Sequence, residues 1–209
     1  MQVRPTQSSG NSAAASAAAF FLLLPLLLLA PARPALADAA AGLQKAQACL
    51  ACHGEGGRST NPLYPVLAGQ PRQFLVSALF AFREGKRKSE QMAPFAANLT
   101  NADLNDLAAY FSTQSATGAL RKSSAEVAAA GRALTEKNNC TSCHGPALYG
   151  QQHIPRLAGQ HMEYLKAQLT GFRASTRADI DGNMTSAAQV LTPQDIEVLA
   201  DYLSGLGAP

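Results

Sequence analysis

Along the chain, apolar residues recur at helical spacing, and no convincing stretch alternates with the two-residue period of a strand. Phe74, Leu75, Ala78, Leu79 and Phe82 make one apolar stripe, which Pro71 opens and Gly85 closes. Leu104, Leu107, Ala108 and Phe111 make another, started by Thr100 with Asp103, and Thr192-Pro193 with Asp195 repeats that start signal near the C-terminus. Ser123 with Glu126 reads as a capping box opening a further helix. The predicted class is all-α. The N-terminus is patterned differently: Phe20 to Leu29 is an unbroken apolar run, about half the roughly 20 residues a bilayer span needs. Ala35-Leu36-Ala37 follows it. Residues 1–37 therefore read as a secretory signal cleaved after Ala37, although Arg4 is its only early side-chain cation. A retained segment giving loose membrane association is the alternative.

Of 209 residues, 172 remain after that cleavage, with 15 basic and 14 acidic side chains. A balance this even leaves no electrostatic footprint for nucleic acid. Export places four cysteines in an oxidising compartment, where two disulfides would be the ordinary reading. Their spacing says otherwise. Cys49-Leu50-Ala51-Cys52-His53 and Cys140-Thr141-Ser142-Cys143-His144 are both C-x-x-C-H, the attachment signature of c-type haem. On one turn of helix-like backbone two thiols reach the porphyrin's two vinyl groups, and the next residue brings an imidazole under the iron. One such motif has a chance expectation of about a thousandth in a chain of this composition. Two that consume every cysteine are not coincidence. A thioredoxin-like dithiol lacks its βαβ context here, and a zinc site leaves both histidines unexplained.

The motifs belong to a longer repeat. Cys49 and Cys140 are offset by 91; Pro65-Val66-Leu67-Ala68-Gly69-Gln70 matches Pro155-Arg156-Leu157-Ala158-Gly159-Gln160 at 90. The match runs on through Leu75/Leu165, Phe82/Phe172 and Arg83/Arg173, then at 92 through Met92/Met184, Leu99/Leu191, Leu107/Leu199 and Tyr110/Tyr202. The chain is a tandem duplication: first domain 38–112, linker 113–122, second domain 123–209. The repeat also nominates the second axial ligands. Met92 follows His53 by 39 residues and Met184 follows His144 by 40, each in a polar, loop-like stretch that argues against core packing. Met162 falls in a helix and reads as structural. His153 and His161 are spare imidazoles near the second motif, so bis-histidine ligation stays open there. Each copy is small enough to need a staple, and a covalently held haem is one, so each domain without haem is expected to fold poorly.

The chain resembles the dihaem class I cytochromes c, specifically the cytochrome c4 family. The resemblance covers nearly all of 38–209. It rests on Cys49–His53, Cys140–His144, the paired Leu-Ala-Gly-Gln segments, and Met92-Ala93-Pro94-Phe95-Ala96-Ala97-Asn98-Leu99 leading into Leu107-Ala108-Ala109-Tyr110-Phe111. It implies two class I cytochrome c domains, each wrapped around one covalent haem c and related by a pseudo-twofold. It also implies that the Pro65 and Pro155 carbonyls accept hydrogen bonds from the ligating histidines. The second copy departs from the first where Thr185-Ser186-Ala187 replaces Ala93-Pro94-Phe95.

Cofactor and ligand expectations are then two haem c, anchored by Cys49, Cys52, Cys140 and Cys143 and ligated by His53, Met92, His144 and Met184. Iron so held has no open position, and no second constellation offers bond-making chemistry, so an electron carrier and not an enzyme is expected. A five-coordinate enzyme or gas sensor is the alternative if one Met is not a ligand. The resemblance implies a monomeric periplasmic carrier between quinol-cytochrome c reductase and a terminal oxidase. The alternative is an electron-transfer subunit of a periplasmic dehydrogenase oxidising sulfur compounds or alcohols. Residues 38–122 carry 9 basic and 6 acidic side chains, residues 123–209 carry 6 and 8, and Arg83-Glu84-Gly85-Lys86-Arg87-Lys88 concentrates positive charge before Met92. That run reads equally as a docking patch for an acidic partner or as a solvated loop.

Overall fold

The computed structural model describes residues 1–2, 37–116 and 118–207. The expected export segment lies outside them except at its ends. Among the described residues the chain is helical, with an isolated bridge between Gln151 and Ile154. Helices α1 (Ala39–His53), α2 (Arg72–Arg83), α3 (Ala93–Ala96) and α4 (Asn101–Thr113) build the first domain. Helices α5 (Ala125–Lys137), α6 (Cys140–His144), α7 (Met162–Arg173), α8 (Asn183–Gln189) and α9 (Pro193–Ser204) build the second. In each, the first and middle long helices pack on the last: α1 and α2 on α4, α5 and α7 on α9.

The local signals explain most boundaries. Pro71 precedes α2, which ends at Arg83 two residues before Gly85, whose φ of 64° is left-handed. Thr100/Asp103 and Thr192/Asp195 form complete reciprocal capping boxes that open α4 and α9. Leu104, Leu107, Ala108 and Phe111 are all buried, as their stripe requires. One detail differs from expectation, and a second departs from the symmetry of the repeat. Helix α5 is capped by Ser124, whose hydroxyl accepts the Val127 N–H, while Ser123 donates to Asp201 on α9. The second domain also breaks its first helix where the first domain does not. Asn138-Asn139 stand where the first copy has Gln47-Ala48, and Asn139 takes φ 53°, a conformation asparagine tolerates better than most residues.

The crossings on α4 and α9 are closed by glycines. A Cβ on Gly42 would lie 2.7 Å from Tyr110 Cβ, and one on Gly131 would lie 2.8 Å from Tyr202 Cδ1. Two apolar cores result. One gathers Ala46, Leu75, Leu107, Ala108, Tyr110 and Phe111. The other centres on Leu165, Phe172, Leu191, Ile196, Leu199 and Leu203.

Between the domains lie the two Leu-Ala-Gly-Gln segments. The Gly69 and Gly159 N–H groups, at φ 67° and 66°, donate to the Phe111 and Leu203 carbonyls near the ends of α4 and α9. That left-handed turn carries Gln70 and Gln160 into the opposite domain, where both are buried. The Phe74 N–H donates to the Gln152 carbonyl, and Arg87 donates to Tyr164 Oη (2.8 Å) and Gln168 Oε1 (3.0 Å). No helix among the described residues is long and apolar enough to cross a membrane.

Candidate haem sites

The first C-x-x-C-H motif forms the last turn of α1 and the second is the whole of α6. No disulfide joins any of the four cysteines, so the disulfide reading does not hold. In each pair the first cysteine is half-buried against its domain's core and the second is exposed. Burial pushes the Cys49 and Cys140 thiols above their ordinary value.

Both motif histidines are buried, with 5% of His53 and 3% of His144 exposed. His53 Nδ1 bonds the Pro65 carbonyl at 2.9 Å and His144 Nδ1 bonds the Pro155 carbonyl at 2.8 Å. A carbonyl only accepts, so each Nδ1 carries the proton and each Nε2 the lone pair. Burial lowers both imidazoles below their ordinary value, against the smaller opposing pull of the carbonyls, which keeps the rings neutral. Neither Nε2 has a hydrogen-bond partner among the described residues. A neutral imidazole with its tautomer and orientation fixed through Nδ1 is what a metal requires of a histidine ligand.

Two further atoms fit haem. Arg156 is buried with no ion-pair partner among the described residues; it donates to the Ala68 carbonyl at 2.8 Å and to Ala158, and its Nε is unpartnered. Burial brings it down to about 10. Arg177 Nε is likewise buried and unpartnered. Orphaned cationic donors of this kind suit the carboxylates of a haem.

The methionines sit in structured segments and not in open loops. Met92 is half-buried at the turn before α3, its N–H donating to Ser89 Oγ at 3.2 Å. Met184 is half-buried on α8 and packs against the second core. Asp179 grips that segment, accepting from the Met184 N–H (2.8 Å), the Thr185 N–H (3.2 Å) and the Thr185 hydroxyl (3.0 Å). Met162 opens α7 against the same core. Of the spare histidines, His161 is buried with Nε2 at 2.8 Å from the Ser59 carbonyl of the other domain. His153 is exposed, 3.6 Å from Asp181.

The cationic run divides by its contacts. Arg83 Nη1 donates to the Leu99 carbonyl at 2.9 Å, and its repeat mate Arg173 donates through Nε to the Leu191 carbonyl at 2.7 Å. In each domain this arginine ties the middle helix to the segment following the methionine. Arg87 is held at the domain interface, over the Phe82 ring. Only Lys86 and Lys88 remain exposed among the cations of the run. The recurrence of Arg83 as Arg173 at the equivalent position of the repeat is the sequence signal that both have internal partners. Gly42 and Gly131 carry no such signal, because a helical glycine alone does not reveal what crosses it.

Fold and motifs together define a dihaem c-type cytochrome. A family model described as "Cytochrome C oxidase, cbb3-type, subunit III" matches residues 35–111, and one described as "Cytochrome c" matches 128–207. Cytochrome c4 of Thiocapsa roseopersicina is 41% identical over 187 residues, covering 84% of this chain and 96% of that protein. The crystal structure of reduced recombinant cytochrome c4 from Pseudomonas stutzeri superposes with a TM-score of 0.74 at 35% identity, covering 81% of this chain and 98% of that one. A "Thiosulfate dehydrogenase electron acceptor" of Thiomonas intermedia is 34% identical, covering 79% of this chain and 81% of that protein. The chain belongs to the cytochrome c4 family: it binds two haem c covalently and is an electron carrier, not an enzyme.

Proposed function

We propose that Cys49 and Cys52 anchor one haem and Cys140 and Cys143 the other, with His53 and Met92, and His144 and Met184, as the axial pairs. Bound haem supplies a one-electron iron couple in each domain. The chain's part is to fix each imidazole through its Pro carbonyl and to hold each methionine segment by Ser89 or Asp179. The observation that carries this reading is the pair of buried neutral histidines whose Nε2 lone pairs are left free by the Nδ1 bonds. His161, with its Nε2–H used on Ser59, is a poorer rival for the second iron.

The domains run 38–112 and 123–209 with 113–122 between them, and the mature chain starts at Asp38 in the periplasm. There it carries electrons from quinol-cytochrome c reductase to a terminal oxidase, docking transiently through Lys86 and Lys88. The thiosulfate dehydrogenase electron acceptor among its relatives favours a second reading, in which the electron source is a dehydrogenase of sulfur compounds. Oxidised native protein mixed in turn with quinol-cytochrome c reductase plus quinol, and with a thiosulfate dehydrogenase plus thiosulfate, separates the two. Rapid reduction by the first alone supports the respiratory role, and rapid reduction by the second alone replaces it.

A further inference from the structure

Gln70 and Gln160 come from the two copies of one segment and reach across the domain interface reciprocally. Gln160 Nε2 donates to the Val66 carbonyl at 3.0 Å while its Oε1 accepts the Val66 N–H at 2.8 Å. Gln70 does the same to Arg156, at 3.0 and 2.9 Å. Each glutamine is 3% exposed. The Val66 N–H and the Pro65 carbonyl are the two ends of one peptide group, and that carbonyl accepts from His53 Nδ1. The Arg156 N–H and the Pro155 carbonyl are likewise one group, bonded to His144 Nδ1.

An amide is a conjugated unit. An acceptor on its N–H draws electron density toward its oxygen, and hydrogen bonds in series strengthen one another, by about 10–30% per bond. Gln160 therefore makes the Pro65 oxygen a better acceptor, which gives the His53 ring more imidazolate character and makes Nε2 a stronger donor. A stronger nitrogen donor favours ferric iron. We propose that Gln70 and Gln160 are positioning residues for the axial histidine of the opposite domain, each setting that haem's reduction potential through the Pro155–Arg156 or Pro65–Val66 peptide. The proposal rests on the assignment of His53 and His144 as ligands.

The test uses the full-length dihaem protein with Gln160→Leu and Gln70→Leu, in redox titrations followed by NMR so that each haem is read separately. Q160L raises the potential of the first-domain haem. The reduced-to-oxidised ratio there rises about threefold at fixed ambient potential, about 28 mV at 59 mV per tenfold for one electron. The second-domain haem moves less. Q70L gives the mirror pattern. In the reduced protein the His53 Nδ1–H resonance moves upfield in Q160L only, and that of His144 in Q70L only. Where leucine prevents haem incorporation, the glutamate variants keep the acceptor oxygen and leave the opposite haem at or below its native potential. Shifts confined to the variant's own domain, equal shifts of both haems, or none would overturn the relay. Native histidine resonances lacking the ring-current shift of haem-bound imidazoles would instead overturn the ligand assignment, and the relay with it.

Discussion

Gly42→Ala and Gly131→Ala test whether the paired cytochrome domains are closed by helix crossings that leave no room for a methyl group. A Cβ on Gly42 would meet both the Asp106 carbonyl oxygen and Tyr110 Cβ, the latter at 2.7 Å. Neither is the far end of a flexible side chain, so α1 and α4 must move apart along their contact. Overpacking of this kind costs about 1–3 kcal/mol, and a backbone obstacle puts the site at the upper end. Alanine returns about 1 kcal/mol of helix propensity. The net expectation is a loss of about 1–2 kcal/mol from the first domain. Gly131 against the Tyr202 ring gives a similar loss in the second. Gln44→Ala, at an exposed position of α1, serves as the control and leaves stability near native. Urea unfolding of the haem-loaded protein, followed at the Soret band, reads the midpoint, and each variant lowers the transition of its own domain with the slope unchanged. A Gly42→Ala protein as stable as the Gln44→Ala control would refute the crossing as described.

Arg173→Leu leaves the Leu191 carbonyl without its charged donor and lowers stability by about 1.5–3 kcal/mol, with loss of the methionine–iron band at lower urea than global unfolding. Neutralising Lys86 and Lys88 to Gln slows association with an acidic redox partner and flattens its salt dependence without changing the unfolding midpoint; Arg87→Gln does the reverse, because its guanidinium is tied to Tyr164 and Gln168. Lys45, with the Thr100 hydroxyl and N–H, holds the Asp103 carboxyl down to about 2. Its folded value lies below its unfolded one, so its contribution is complete above about pH 4 and is lost as pH falls toward about 2. Asp103→Asn, less stable near neutrality for want of the capping box, therefore loses less of its urea midpoint between about pH 5 and about pH 2.5 than the native chain.

What the sequence made legible was what local chemistry determines. Thr100 with Asp103 caps a helix whatever surrounds it, and an apolar stripe such as Leu104 to Phe111 needs only some partner to bury it. The haem motifs were legible because attachment demands fixed spacing, and the duplication nominated Met92 and Met184. Polar residues with distant partners were misread. Arg83 and Arg87 looked like surface charge because nothing local reveals Leu99 or Tyr164 as acceptors. Gln70 and Gln160 passed as part of a repeat, since their function depends on how two copies face each other. Ser124 displaced Ser123 as a cap because Asp201 on α9 engages Ser123, a tertiary competition invisible along the chain. The break at Asn138-Asn139 carried a weak local signal in asparagine's tolerance for the left-handed region.

The axial assignment is tested most directly by a redox titration of the native protein followed through the methionine-to-ferric-iron charge-transfer band. Ligation by Met92 and Met184 predicts band intensity for two haems per chain, vanishing in two one-electron steps, one for each domain. Intensity for a single haem, or a ferric spectrum without the band, would contradict it.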